Sequence, residues 1–427
     1  MSHLAVVAPA LPSHFRALEA LAGELVVRGH RVTFIHQQDA ANWLSDPRIG
    51  FHGLGLHSHP PGSLRRTLRI ASSPGGPLGL RRLIADMSRS TDMLCRELPV
   101  ALDDLRVDAL LCDQMEAAGG LVAEATGLPY VSVACALPIN REPGLPLPVM
   151  PMKFACGERA EKMYAGSARV YDWLMQQHGR TVARHAKAFG LPPRQGLHEC
   201  LSPYAQISQT PMGFDFPRHG LPPNFHGVGP LRPARQAAQH LDFEIDPHRP
   251  LVFASLGTLL SNRFGLFRRI VRACRGLGVQ LLLAHCGGLT PAQARALQHE
   301  GATWVTDFAP QLAVLARADA LVSHGGLNTV LDALATHTPI LALPLAFDQP
   351  GVAARVVHAG VGLQASAAFA SSRKLRKGLE QLLTDCRFTA PLEQRGAEIR
   401  AARGTAAGAD IIEKIVPGVP PAAVNAP

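Results

Sequence analysis

The residues able to do chemistry cluster where apolar runs give way to turns. One run, 320–323, is followed by His324-Gly325-Gly326-Leu327-Asn328-Thr329. A strand, two glycines and a helix start would present free backbone N–H groups and the positive end of a helix dipole. Such a place takes an anion, most readily a phosphate. His324, Gly326, Asn328 and Thr329 would line it, and an ordinary βα turn is the plainer reading of the same residues. Asp332 lies one turn along, and sixteen residues further, after the run 340–343 and Pro344, comes Asp348-Gln349. An acid beside an amide can hold adjacent sugar hydroxyls, or can simply cap a helix. Upstream, Phe308-Ala309-Pro310-Gln311 precedes another helical pattern, and Thr258 follows Gly257 at the end of the run 251–255. In the first half, His14 follows the run 4–8 and its loop, and Asp113 ends the run 108–112. A neutral imidazole is a natural base for a hydroxyl. A carboxylate on its second nitrogen would fix the tautomer and stabilise the imidazolium.

The elements that must hold these residues alternate between β and α. Strand patterns over 4–8, 31–35, 108–112 and 130–133 are separated by helical periods over 14–28 and 115–126. A second series has strands over 251–255, 280–284, 303–305, 320–323 and 340–343. The fold class is therefore α/β, with two doubly wound, Rossmann-like parallel-sheet domains facing a cleft. Ligands in such sheets sit beyond the carboxyl ends of the strands. The expected division is an acceptor-binding domain over 1–230, a linker over 231–248 and a nucleotide-sugar domain over 249–395. A C-terminal helix over 396–416 can pack back on the first domain, and a Pro/Ala tail over 417–427 is expected to be loose. The stretch 138–165 differs, with Pro138, Pro143, Pro146, Pro148 and Pro151 spacing out Leu145, Leu147, Val149, Met150 and Met152. An apolar irregular loop of that length reads as a binding wall.

At 427 residues the chain is too long for one core, and its 47% hydrophobic content excludes general disorder. The net charge of +9 is scattered in short arginine groups without interleaved aromatics, so no nucleic-acid partner is expected. The eight cysteines include no Cys-x-x-Cys pair, which suits reduced thiols and neither a disulfide frame nor a zinc site. The start of the chain lacks the basic region of a leader, and no apolar run reaches the roughly 18 residues of a membrane helix. A cytoplasmic protein is expected, with peripheral contact at the inner face of the membrane left open.

Phe308-x-Pro-Gln, His-Gly-Gly-x-Asn-Thr over 324–329, Asp332 and Asp348-Gln349 together resemble the nucleotide-sugar signature of the GT1 family, inverting UDP-dependent glycosyltransferases of the GT-B fold. The stretches 91–98 and 141–151 extend the resemblance to the zeaxanthin glucosyltransferases of bacterial carotenoid pathways. The resemblance implies roles for these positions. Phe308 would stack on uracil, and the Ala309 backbone with Gln311 would meet its edge or the ribose. Asp332 would bond ribose hydroxyls. Thr258, His324, Asn328 and Thr329 would hold the diphosphate, while Asp348 and Gln349 would hold glucose. His14 and Asp113 occupy the positions of the family's His-Asp dyad. Here Phe308 replaces the common Trp, Asp332 replaces the common Glu, and the Gln311-to-His324 spacing is slightly short. The implied donor is UDP-glucose and the implied acceptor a hydrophobic, hydroxylated carotenoid. No Asp-x-Asp occurs, so no metal and no other cofactor is expected. Transfer to another lipid or polyketide hydroxyl, or a GT-B epimerase, remains as an alternative. A dinucleotide oxidoreductase is disfavoured because no strand leads into Gly-x-Gly-x-x-Gly.

Overall fold

A computed structural model describes residues 1–233 and 241–416. Part of the expected linker (234–240) and the expected tail (417–427) lie outside the described residues.

The first sheet contains β1 (His3–Val7), β2 (Arg31–Gln37), β3 (Gly50–Leu54), β4 (Ala109–Asp113), β5 (Tyr130–Ala134), β6 (Ala205–Ser208) and β7 (Phe225–Gly227). Its order is β3-β2-β1-β4-β5-β6-β7. The second contains β8 (Leu251–Ser255), β9 (Gln280–Ala284), β10 (Trp304–Thr306), β11 (Ala320–Ser323), β12 (Ile340–Ala342) and β13 (Gly362–Gln364), in the order β10-β9-β8-β11-β12-β13. Every paired strand is parallel. Strands such as Leu251–Ser255 are wholly buried because helices cover both faces, which explains their unbroken apolar runs.

Each sheet reverses its strand order at one place. In the first it falls between β1 and β4, where Val7 pairs with Cys112. In the second it falls between β8 and β11, where Ser255 pairs with Ser323. The loops on either side of such a reversal diverge and leave a crevice. His14 and Asp113 border one crevice; Thr258 and His324 border the other.

Sequence periodicity located most of these strands to within a residue or two, but left several elements unassigned. Gly76–Leu105 is a single long helix with Pro99 inside it; a proline there removes one intrahelical bond, so the period alone does not reveal the helix. The C-terminal helix expected over 396–416 is instead the end of one helix, Thr389–Ala401, and the whole of a second, Gly404–Ile415. The second lies against the first lobe, where Gly408 sits close to Leu21 and Ile207. Arg28, which caps the end of the opposing helix, pairs with Asp410 and Glu413.

The lobes are also joined near the cleft. Leu137 and Phe214, from loops after β5 and β6, are buried in the core of the second lobe. Next to Phe214, Asp215 accepts from Arg355 Nε at 2.6 Å and from Arg218 Nε at 2.7 Å. Arg355 belongs to the helix Gln349–His358, is fully buried, and stacks its guanidinium 4.2 Å from the Phe216 ring centre. Burial would push the Asp215 carboxyl up, but Arg355 and Arg218 outweigh it and hold it below the usual range. Its contribution to stability is thus present above the unfolded carboxylate pKa and is lost as pH falls through the lower folded value. Asp215→Ala strands a buried guanidinium and should destabilise the fold by about 3–5 kcal/mol. Denaturant midpoints at pH 7 check this; a loss below about 1 kcal/mol would show that the pair does not tie the lobes.

Candidate active site

The cleft between the lobes encloses about 2340 Å³, more than the roughly 300–1,000 Å³ of a single small-molecule site. It has room for two substrates. All the sequence-predicted site residues except Asp113 line it, and Asp113 lies directly behind His14.

His14 sits in the first turn of the helix Pro12–Val27, which begins two residues earlier than its apolar period suggests because Pro12 suits a helix start. Its Nδ1 lies 2.7 Å from Asp113 Oδ2. The other carboxylate oxygen of Asp113 accepts the Met115 N–H at 2.8 Å. Asp113 is almost wholly buried and therefore fixed in direction. This leaves His14 Nε2 as the ring nitrogen free for the cleft. Burial alone would lower the His14 pKa, but the charge and hydrogen bond of Asp113, with a further contribution from Asp348, raise it above 6.5.

Asp348 comes from the opposite lobe. It precedes the helix Gln349–His358 but makes no side-chain cap. Its Oδ2 instead accepts the Leu137 N–H across the cleft at 3.3 Å. Burial raises its pKa above the ordinary carboxylate value, despite the Leu137 bond and the nearby His14. The preceding Phe347 has φ +57°, an unfavourable conformation for a bulky side chain that turns the loop inward. Gln349 uses its Oε1 to accept from Leu345 and Ala346 N–H at 2.9 and 3.0 Å. Its side chain thereby shapes the same loop and keeps its NH2 for another acceptor.

Across the cleft, Gly326 caps the helix Leu327–Ala335 without any side-chain bond, so the first N–H groups of that helix are open. The glycines here have an unexpected role. A Cβ on Gly257 would sit 2.6 Å from His324 Nε2, and one on Gly326 would sit 2.5 Å away. They admit the His324 ring. Burial pushes its pKa down to about 4, so His324 offers a neutral hydrogen-bonding group and no positive charge. Thr258 is exposed to the cleft on the adjacent loop.

Phe308 is 64% exposed, an open ring face at the cleft wall beside Ala309. Gln311 is already engaged within the protein: its Nε2 donates to Asp332 Oδ2 at 2.6 Å and its Oε1 accepts from Thr329 Oγ1 at 3.3 Å. It orients Asp332 and Thr329, a finding that the motif alone did not disclose.

Leu147, Pro148, Val149 and Met150 line the cleft, so the Pro-rich stretch is a wall of it as far as that segment. Its later part is helical, Glu158–Leu174. Sequence reading missed a polar group on the same side. Glu116 accepts from Thr91 Oγ1 at 2.7 Å, Thr91 lies 3.2 Å from His178 Nε2, and burial pushes the Glu116 carboxyl up to about 7. No motif links positions so far apart. Cys135 was likewise missed. His14, Asp113 and Cys135 place ligand-type atoms within 4.8 Å of one another. The His14–Asp113 bond already engages two of those groups, and burial holds the Cys135 thiol well above its usual pKa.

Comparison with known proteins places this geometry. A family model described as UDP-glucoronosyl and UDP-glucosyl transferase matches residues 83–390. The chain is 52% identical to a zeaxanthin glucosyltransferase of Pantoea ananas, over 97% of this chain and 96% of that protein. It is 49% identical to a zeaxanthin glucosyltransferase of Pseudescherichia vulneris, over 98% of this chain and 99% of that one. The crystal structure of the calicheamicin glycosyltransferase CalG4 superposes with a TM-score of 0.73 at 19% identity, covering 97% of this chain and 98% of that one. The chain belongs to the UDP-glucoronosyl and UDP-glucosyl transferase family, glycosyltransferases of the GT-B fold.

Proposed function

We propose that this protein transfers glucose from UDP-glucose to the hydroxyls of zeaxanthin, inverting the anomeric centre and giving the mono- and then the di-β-glucoside. The observation that carries this reading is the His14–Asp113 pair facing Asp348 and the open helix start at Leu327 across one cleft. The names of the two relatives above support the acceptor.

In the reaction, Asp113 accepts from His14 Nδ1–H and leaves Nε2 as the base. Nε2 takes the proton of the acceptor hydroxyl as its oxygen forms a bond to the anomeric carbon. The bond from that carbon to the diphosphate breaks, and UDP departs with the electron pair. The imidazolium is stabilised by Asp113. Negative charge on the leaving diphosphate meets the helix N-terminus at 327, with Asn328, Thr329, Thr258 and His324 as donors. Phe308 stacks on the uracil and Asp332 bonds the ribose. Asp348 and Gln349 hold glucose hydroxyls, and the proximity of Asp348 to His14 supports a sugar held beside the base. We propose no metal: the donors on the second lobe take its role.

A carotenoid acceptor resides in a bilayer, so we propose peripheral docking at the cleft mouth. Trp173 is 71% exposed and lines the cleft with the neighbouring Leu174. The helix Leu64–Ala71 presents Arg65, Arg66 and Arg69, while its Thr67 and Ala71 line the same cleft. Arginines beside apolar side chains suit an anionic membrane surface. Among the described residues no helix is long and apolar enough to cross a membrane.

Product, kinetic and vesicle-binding measurements test this reading. Pure protein given UDP-glucose and detergent-solubilised zeaxanthin should form mono- and diglucosides with a chelator present. Unchanged carotenoid would remove the acceptor, and dependence on added metal would remove the metal-free mechanism. Because Asp113 raises the His14 pKa, kcat/KM should increase with pH through a value above 6.5. His14→Ala should lower kcat about 10²–10⁴-fold with UDP affinity retained. Asp113→Asn should lower the rate and move the acid limb downward, since only Asp348 then opposes the effect of burial on His14; an unmoved limb would mean another group titrates. Trp173→Glu should reduce sedimentation with anionic vesicles while leaving turnover of acceptor in detergent within about threefold, as befits a rim residue.

A further inference from the structure

The expected linker contains a residue that the donor-site motifs do not include. Arg232 follows Leu231, which is buried in the core of the first lobe. Its side chain reaches into the second lobe and places every one of its N–H groups. Nε and Nη2 donate to Asp332 Oδ1 at 3.1 and 2.9 Å. Nη1 donates to Asn328 Oδ1 at 3.2 Å and to Leu231 O at 3.0 Å. Nη2 also donates to the Asn328 carbonyl at 3.0 Å. A guanidinium has five N–H donors, so none is left over.

This pattern dictates what Asn328 and Asp332 can offer a ligand. A guanidinium faces only acceptors, so Asn328 must turn its oxygen to Arg232 and its NH2 away from it. That leaves the amide as a donor, as a phosphate requires. An ionised carboxylate has about four acceptor positions. Arg232 takes two on Oδ1 of Asp332, and Gln311 takes one on Oδ2. The remaining position, also on Oδ2, is the one open to a ribose hydroxyl.

The backbone of Arg232 is fixed from a third direction. Its carbonyl accepts Thr405 Oγ1 at 3.1 Å, and Gly404 N–H donates to Val228 O at 2.9 Å. Gly404 has φ +45°, and a Cβ there would meet Pro230 O at 2.3 Å. The start of the C-terminal helix Gly404–Ile415 therefore clamps the segment 228–232 closely.

We propose that Arg232 is a positioning residue of the nucleotide-sugar site, orienting Asn328 and Asp332 for the diphosphate and ribose, and that the C-terminal helix holds it in place through Thr405. The proposal rests on the donor-site reading given above. It deepens that reading by making part of the site depend on the interlobe segment.

The test uses the full chain and UDP as the probe, with donor and acceptor kinetics measured beside it. Arg232→Ala should weaken UDP binding and raise donor KM by at least about tenfold, the scale of charge-assisted hydrogen bonds. It should leave acceptor KM within about threefold. Arg232→Lys should recover part of the UDP affinity, since one ammonium replaces a fork. Thr405→Val should shift UDP affinity in the same direction by a smaller factor. If Arg232→Ala does not fold, the Lys and Val variants decide by the same readout. UDP affinity that is unchanged or tighter in the Arg232 variants would overturn the proposal, tighter binding marking Arg232 as an occupant that the nucleotide displaces. Asn328→Ala and Asp332→Asn separate the two levels. If neither weakens UDP, the donor-site reading itself fails; if both do and Arg232→Ala does not, only the role of Arg232 fails.

Discussion

The buried ion pair between Asp215 and Arg355 sets the relation on which the cleft depends. Two sheets that end facing each other provide a site only if their loops meet at a defined spacing. Arg355 stands on the helix that begins at Gln349, and Asp215 on the loop between β6 and β7. Fixing one against the other fixes Asp348, at the start of that helix, against Leu137 and His14. A buried pair of this kind adds little net stability over well-packed apolar groups, but it is costly to break by halves. Here it serves to hold one register between the lobes.

The same constraint shapes the electrostatics. His14 is buried, and burial by itself would disfavour its charged form. Asp113 reverses that balance, and Asp348 adds to it from the opposite lobe. An imidazole placed this way gains a proton more readily than its burial alone would allow. Across the cleft His324 is treated oppositely. It is buried without a carboxylate, stays neutral, and fills a space that Gly257 and Gly326 leave for it. Two histidines of equal intrinsic chemistry thus have their proton affinities shifted in opposite directions by their surroundings alone.

Much of this was legible in the chain. Short apolar runs closed by Ser255, His285 and Ser323 located β8, β9 and β11 at their observed bounds. Parallel pairing followed from the alternation of strands and helices. The short motifs around 308–311, 324–332 and 348–349 identified one wall of the cleft because each lies within a few residues of one strand end. Elements without a clean period escaped. Pro99 obscured the helix Gly76–Leu105, and the brief edge strands β7 and β13 carry too few residues to display alternation.

What the sequence determined alone was therefore local: which residues end each strand, and what chemistry their side chains can perform. Only the tertiary structure decided which strand ends meet. Asp113 reaches His14 because β4 lies beside β1 at the reversal of the sheet, though 99 residues separate the two side chains. Asp348 approaches His14 because the lobes are tied at Asp215, and Arg232 reaches Asp332 across 100 residues because the C-terminal helix folds back on the interlobe segment. No periodicity or spacing encodes such meetings. They arise from burial and pairing between segments whose order along the chain is unrelated to their neighbours in space.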